Sequence, residues 1–171
     1  DDDLFGYAKV AKGFKSGGFN GRANAPGDET PYDPEIVWSY EAGFRKALNN
    51  GRVNLSGAVF YNDYQDFQAR VSVARGPGEF DFPVFNAGEL EIYGAELEFQ
   101  ALIGEGLTLD AQIGYLDAEY GEFLDQNAPT GDRADTDEPA FAPDWTARFG
   151  ATYDFDLADS GTLTFGADAN Y

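Results

Sequence analysis

The side chains here that could carry acid–base, metal or nucleophilic chemistry are almost all carboxylates, because the sequence contains no His and no Cys. A Ser-His-Asp or Cys-His nucleophile is therefore excluded, as is a metal site built on imidazole or thiolate. The carboxylates fall into two groups. Glu41, Glu96, Glu98, Asp110, Asp154 and Asp168 recur within alternating runs and are accompanied by Arg45 and Arg148. On one face of a sheet they would form a solvated polar surface, with cross-strand pairs worth roughly 0.2–1 kcal/mol each. The other group lies at residues 117–144, where nine acids accompany a single Arg, Arg133, and are densest at Asp132, Asp135, Asp137 and Glu138. Hard oxygen ligands suit Ca²⁺, but the alternating Asp loop with a closing Glu is absent. A solvated loop is the expectation. Neither a metal nor a cofactor is expected, and the carboxylates do not define an enzyme.

The elements that must hold these residues show in the composition and the alternation. The 171 residues carry 11 Lys+Arg against 31 Asp+Glu, a formal charge of −20. Nucleic acid is excluded as a partner, since its phosphates are bound through Lys and Arg. No run approaches the roughly 18 apolar residues of a membrane helix. Gly (21 residues) and aromatics (16 %) are both plentiful, and the aromatics follow a period of two. In 36–48 the residues Ile36, Trp38, Tyr40, Ala42, Phe44 and Leu48 share one face. Matching faces are Val53, Leu55, Val59 and Tyr61; Tyr93, Ala95, Leu97 and Phe99; and Leu107, Leu109, Ala111, Ile113 and Tyr115. Two later runs repeat the pattern, with Trp145, Ala147, Phe149, Ala151 and Tyr153, then Leu163, Phe165, Ala167, Ala169 and Tyr171. Alternation of this kind marks strands with one apolar face. With a less distinct strand at 4–14 the total is seven. Asn49-Asn50-Gly51 is a tight-hairpin signal, since these residues accept positive φ.

Short connections alternate with long ones at about 15–35, 63–85 and 117–144, as in an up-and-down meander. If the long loops lie outside, the outward residues next to them are Trp38, Tyr40, Tyr61, Tyr93, Tyr115, Trp145 and Tyr171. That is an aromatic girdle of the outer-membrane barrel type. A soluble sandwich has no reason to place Tyr or Trp at the same end of every strand. The apolar stretch from girdle to turn is about nine residues, enough for a tilted strand to cross a bilayer. The expected fold is therefore all-β, an antiparallel up-and-down transmembrane β-barrel segment. Seven strands cannot close a bacterial barrel, so the expectation is a piece of a larger one, with about 22 strands.

Several motifs support this reading in order and spacing: Lys12-Gly13-Phe14-Lys15-Ser16-Gly17-Gly18-Phe19-Asn20, Tyr32-Asp33-Pro34-Glu35, Trp38-Ser39-Tyr40-Glu41-Ala42-Gly43-Phe44-Arg45, Asn86-Ala87-Gly88, Ile92-Tyr93-Gly94-Ala95-Glu96-Leu97-Glu98 and Gly114-Tyr115-Leu116-Asp117. Over nearly the whole chain they resemble the C-terminal half of the barrel of TonB-dependent outer-membrane receptors. The resemblance implies active uptake of a scarce bulky nutrient, most often a ferric siderophore. It also implies an N-terminal plug domain, expected outside residues 1–171, through which the TonB–ExbB–ExbD complex acts. By the same resemblance Glu41, Glu96 and Glu98 are partners for plug arginines. The alternatives are a passive porin-type channel and a soluble β-sheet binding protein. Phe14, Phe19, Tyr32, Phe80, Phe82, Phe123 and Phe141 are expected in the long loops, where they would either touch a small-molecule or metal-chelate ligand or pack loop against loop. The remaining expected partner is outer-membrane lipid.

Overall fold

A computed structural model describes residues 4–21, 30–70, 72–125 and 131–171. Its strands are β1 (Leu4–Lys15), β2 (Gly18–Phe19), β3 (Pro31–Tyr32), β4 (Glu35–Leu48), β5 (Val53–Arg70), β6 (Val73–Gly76), β7 (Glu79–Asp81), β8 (Val84–Ile103), β9 (Leu107–Phe123), β10 (Trp145–Asp156) and β11 (Thr162–Asn170). Seven of them form one antiparallel sheet in the order β1-β4-β5-β8-β9-β10-β11, each long strand beside its neighbour in sequence. The two small hairpins, β2–β3 and β6–β7, lie in the long connections. The sheet is open, with β1 and β11 at its edges.

The register follows from the alternation. Tyr40 stands opposite Tyr61, Tyr61 opposite Tyr93, and Ala95 opposite Tyr115, which stands opposite Trp145. Directly opposed residues share a face, so all the apolar sets fall on one side. A slip of one residue would move each set to the other side. The same pairing resolves β1. Leu4, Ala8, Val10 and Phe14 oppose Lys46, Ala42, Tyr40 and Ile36 on the apolar face. At the short end, Asn49 (φ 52°), Asn50 (φ 57°) and Gly51 (φ 80°) make the tight turn that those residue types permit.

The sheet has almost no interior. Among the described residues the buried hydrophobics are Ala69, Ala87, Leu90, Ala101 and Phe123. Val59, Leu97, Phe149 and Phe165 on the apolar face are exposed. In a soluble protein such a patch would be an aggregation hazard. A bilayer is the medium that leaves it stable.

The strands exceed their expected lengths. β5 continues through Arg70, β8 begins at Val84 and β9 continues to Phe123, so most of 63–85 and the first quarter of 117–144 are sheet rather than loop. The cause is a reversal in the alternation. Beyond the girdle the formerly apolar face carries Asp63, Glu91, Asp117 and Glu119, while Tyr64, Leu90, Ile92, Leu116, Ala118 and Tyr120 lie on the other. A search for one continuous apolar face stops at this point although the ladder does not.

Candidate functional site: a charged wall beneath an aromatic rim

The polar face is graded along the strands. Toward the short turns, Arg45, Ser56, Glu98, Gln112 and Arg148 form one cross-strand row. The Ser56 hydroxyl donates to Glu98 Oε2 at 3.1 Å. Arg148 Nη1 donates to Asp110 Oδ2 at 2.7 Å. This band borders a cavity of about 590 Å³. Nearer the girdle, Glu96 stands opposite Ala58 and Gly114. Glu41 stands opposite Lys9, and its Oε1 accepts a 2.6 Å hydrogen bond from the Tyr7 hydroxyl. The Tyr7 ring reaches it by lying across Gly43, where a Cβ would sit 2.7 Å from the ring. Thus Glu41, Glu96 and Glu98 share one face with Arg45 and Arg148. The opposite face, which borders hydrocarbon in a barrel, holds none of the three.

Past the girdle the same face becomes aromatic. Tyr64, Phe67, Tyr120 and Phe123 form a chain of rings with successive centroid separations of 6.5, 6.0 and 4.7 Å. Phe123 joins Ala69 and Ala87 in a small buried cluster, against which Phe85, Val73 and Ala134 pack. Expected as a loop residue, Phe123 in fact ends β9 with 7 % exposure. Its ring is packed among apolar neighbours, the second of the two roles expected of these aromatics. Burial also raises the pKa of Tyr120. Phe14 likewise belongs to strand β1, where it is exposed.

The β2–β3 hairpin is fastened to β5 and β8 by side-chain amides. The Asn20 amide donates to Val84 O (2.8 Å), and its Oδ1 accepts from Val84 N (2.7 Å). Asn86 answers by accepting from Asp33 N (2.7 Å) and donating to Asp33 O (2.9 Å). Each amide thereby copies the two-point pairing of a backbone residue in a ladder. The Gln68 amide donates to Ser16 O and Asp33 O at 3.1 and 3.0 Å, and its backbone N–H donates to Glu35 Oε2 at 2.8 Å. The Tyr32 ring closes over Gly18, where a Cβ would meet its hydroxyl at 2.7 Å, and Gly17 abuts the Tyr32 carbonyl directly. Three of the motifs quoted above therefore converge on one junction.

At that junction Phe19, Tyr32 and Phe82 border a cavity of about 300 Å³, together with Arg70, Pro83 and Val84. Phe80 in β7 and Phe141 in the β9–β10 connection are exposed elsewhere on the rim, and Phe141 is fully solvent-accessible. Alternation alone could not identify Arg70, Tyr64, Phe67 and Tyr120 as rim residues, because they follow the reversal.

The acidic connection is folded. Arg133 bridges the buried Asp125 (3.1 Å) and Asp137 (2.6 Å), and both partners raise its pKa, Asp125 first. Asp132 Oδ1 accepts from Ala134 N at 2.9 Å and Phe123 N at 3.1 Å, and those two backbone donors hold its carboxyl below the usual range. Among the described residues no group of three or more Asp or Glu is arranged to hold a metal ion.

The seven aromatic residues expected in the girdle all lie on the apolar face, at its border with the acidic row. The Tyr40 and Tyr61 rings are 6.2 Å apart, and those of Tyr115 and Trp145 5.0 Å. Lys12 Nζ lies 5.2 Å from the Trp38 ring. Tyr61 donates to Glu91 Oε1 at 2.8 Å and Tyr115 to Asp117 Oδ2 at 3.0 Å. Tyr171 follows β11 and exchanges two backbone hydrogen bonds with Ala147. The Tyr61 and Tyr115 rings thus meet the apolar face while their hydroxyls reach acidic neighbours, as membrane-interface aromatics do.

A half-polar, half-apolar up-and-down sheet of this kind is a wall segment of an outer-membrane barrel. The family model described as TonB dependent receptor-like, beta-barrel matches residues 1–171, and the chain belongs to that family of bacterial outer-membrane transport receptors, which are not enzymes. It is 30 % identical over 119 residues to the pesticin receptor of Yersinia pestis, covering 70 % of this chain and 17 % of that protein. It is 29 % identical over 127 residues to the metal-pseudopaline receptor CntO of Pseudomonas aeruginosa, covering 74 % and 16 %. The chain thus spans about a sixth of the length of these curated relatives. In fold it is similar to the ferric yersiniabactin uptake receptor FyuA of Yersinia pestis, with a TM-score of 0.74 and 24 % identity, over 99 % of this chain and 23 % of that one. It is also similar to BauA, the ferric preacinetobactin receptor of Acinetobacter baumannii, with a TM-score of 0.66 and 21 % identity, over 99 % and 23 %.

Proposed function

We propose that the protein is an outer-membrane receptor for TonB-energised uptake of a scarce bulky nutrient, and that the nutrient is a ferric siderophore or a kindred metal chelate. The observation that carries this reading is the graded inner face, with Glu41, Glu96, Glu98, Arg45 and Arg148 below and the rings of Tyr64, Phe67 and Tyr120 above. A wall of this kind suits a ligand caught at an aromatic rim and passed down a polar lumen. The names of the similar receptors, for ferric yersiniabactin and for metal-pseudopaline, support the cargo class.

In this reading the lumen carboxylates Glu41, Glu96 and Glu98 hold arginines of the protein's N-terminal plug domain. A carboxylate under a plug is poorly hydrated and is costly to leave unpaired, so such pairs form a latch that TonB–ExbB–ExbD action on the plug releases. The girdle from Trp38 to Tyr171 sits at the boundary of outer-membrane lipid.

The test is uptake of radioactive iron by iron-starved cells whose sole receptor is the full-length protein, offered one ferric chelate at a time. Saturable uptake of at least one chelate, abolished by an uncoupler or by loss of TonB, is expected. Uptake that persists without TonB would identify a passive channel instead. For the latch, a Glu41→Gln/Glu96→Gln double variant is expected to accelerate hydrogen exchange in the plug and to lower uptake. Unchanged values of both would remove it.

A further inference from the structure

We propose that Tyr7 stands in for the plug arginine at Glu41, holding the carboxylate from across Gly43 when the latch opens, and so makes release of the plug easier and reversible. Tyr7 is thereby a positioning residue for transport. The inference rests on the latch reading of Glu41 and adds a part of the wall that regulates it.

The placement is specific. Tyr7 in β1 stands directly opposite Gly43 in β4, and Glu41 is the next residue along the same face of β4. The absence of a side chain at Gly43 lets the ring cross the strand, since a Cβ there would sit 2.7 Å from both the ring and its hydroxyl oxygen. Diagonal neighbours in a ladder are about 7–8 Å apart, a span that an aromatic side chain covers. The hydroxyl donates to Glu41 Oε1 at 2.6 Å, within the range of about 2.5–2.7 Å for a charge-assisted bond from O–H to a carboxylate. Phe5, on the same face, stacks beside the Tyr7 ring with centroids 6.1 Å apart. Lys9 is the residue directly opposite Glu41, yet among the described residues no Lys or Arg lies within ion-pair distance of this carboxylate. The wall meets Glu41 with a phenol.

A phenol differs from a cation in what it leaves behind. Neutral below a pKa of about 10, it orients the carboxylate without cancelling its charge, and it occupies one of about four acceptor positions. Glu41 therefore keeps its attraction for a guanidinium. Both partners belong to adjacent strands of the wall, so their bond is available whatever position the plug takes. While an arginine pairs with Glu41 the phenol adds little, because the charge is already met. Once the arginine withdraws, a poorly hydrated carboxylate is costly to leave unpaired, and the Tyr7 bond offsets part of that cost. The opened state gains more from Tyr7 than the closed one, and that difference eases release.

The test is hydrogen-exchange mass spectrometry on plug peptides of the full-length receptor in lipid nanodiscs. Tyr7→Phe keeps the ring over Gly43 and removes only the hydroxyl. It should slow plug exchange about fivefold, the effect of one ordinary net hydrogen bond, whereas Glu41→Gln should speed it. In the Glu41→Gln background, Tyr7→Phe should change exchange less than about twofold, because hydrogen bonds to neutral groups are weaker. Heat-modifiable migration of each variant verifies that the barrel is folded. Faster exchange in Tyr7→Phe would mean that the phenol only orients Glu41 for the closed latch, and it would overturn the proposal, as would unchanged exchange or an equal slowing in the Glu41→Gln background. The two readings separate cleanly. Faster exchange in Glu41→Gln without slowing in Tyr7→Phe defeats the role of Tyr7 alone, whereas unchanged exchange in Glu41→Gln defeats the latch and this inference with it.

Discussion

The amide junction at the rim makes a quantitative prediction. Asn86 accepts from Asp33 N at 2.7 Å and donates to Asp33 O at 2.9 Å and Asp66 O at 2.8 Å. Asn86→Ala removes all three bonds at once. Each contributes about 1 kcal/mol net, and water reaches this exposed junction to replace part of what is lost. The expected local destabilisation is about 2–3 kcal/mol, a roughly 30- to 140-fold rise in the open population at about 1.4 kcal/mol per factor of ten. Hydrogen-exchange mass spectrometry on the full-length receptor in detergent reads this directly. Peptides containing Asp33 and Gln68 should exchange faster by that factor, and those covering Ala58 and Gly94 in the membrane sheet should not change. Asn86→Asp keeps the acceptor for Asp33 N–H but turns a carboxylate toward two carbonyls, so its effect should be at least as large. Less than a twofold change at Asp33, or equal acceleration throughout β5 and β8, would refute the view that this amide fastens the hairpin locally.

In the membrane sheet, Gly43→Val places a side chain where the Tyr7 ring lies and breaks its bond to Glu41. A loss of about 1–3 kcal/mol is expected from such overpacking, visible as a lower unfolding temperature of the heat-modifiable band, and an unchanged temperature would contradict the seating. Arg148→Ala breaks a pair whose side chains are 42 % and 27 % exposed. It should cost less than about 1 kcal/mol, and urea unfolding of the variant measures this. The Asp132 carboxyl is held below its ordinary value by two backbone donors, so its contribution is full above the unfolded value near 3.8 and disappears as the pH falls through the lower folded value. Protease protection of the 131–137 segment should therefore be flat from neutral pH to about 4 and fall only below that. Asp132→Asn should flatten this fall.

The membrane-crossing part of the fold was legible because two requirements coincide in it. Hydrocarbon demands an apolar residue at each second position, and the strand gives each second residue the same face. Tyr40, Tyr61 and Tyr93 consequently aligned in the sheet as the alternation required. The turn at Asn49-Asn50-Gly51 was legible for a local reason, since three successive positive φ angles leave few other residue types. Above the girdle the first requirement lapses while the second persists. Leu116, Ala118 and Tyr120 continue the alternation of Leu107–Tyr115 with the opposite phase, and β9 ran on where a loop was expected. The Phe123 misplacement has the same origin. The reversal itself could have been read from the apolar pair Tyr115-Leu116, after which Leu116-Asp117-Ala118-Glu119-Tyr120 still alternates strictly between apolar and acidic residues.

The rim junction was not legible, and the reason is distance along the chain. Asn20 and Val84 are 64 residues apart and Asp33 and Asn86 are 53 apart, and an amide in a polar loop carries no mark of its partner. What the sequence did display was the order Gly17-Gly18-Phe19-Asn20, Tyr32-Asp33 and Asn86-Ala87-Gly88, a signature without a cause. The geometry supplies one. Gly17 and Gly18 let Tyr32 approach, Asn20 and Asn86 replace missing ladder partners, and Ala87, fully buried, leaves space for the Phe123 ring. The clamp acts through backbone groups and small residues, so the outward rings of Phe19, Phe80, Phe82 and Phe141 are not needed to hold it together. One rim framework can therefore carry different contact surfaces. That separation is what a receptor needs if its loops are to change cargo without the barrel mouth losing its shape.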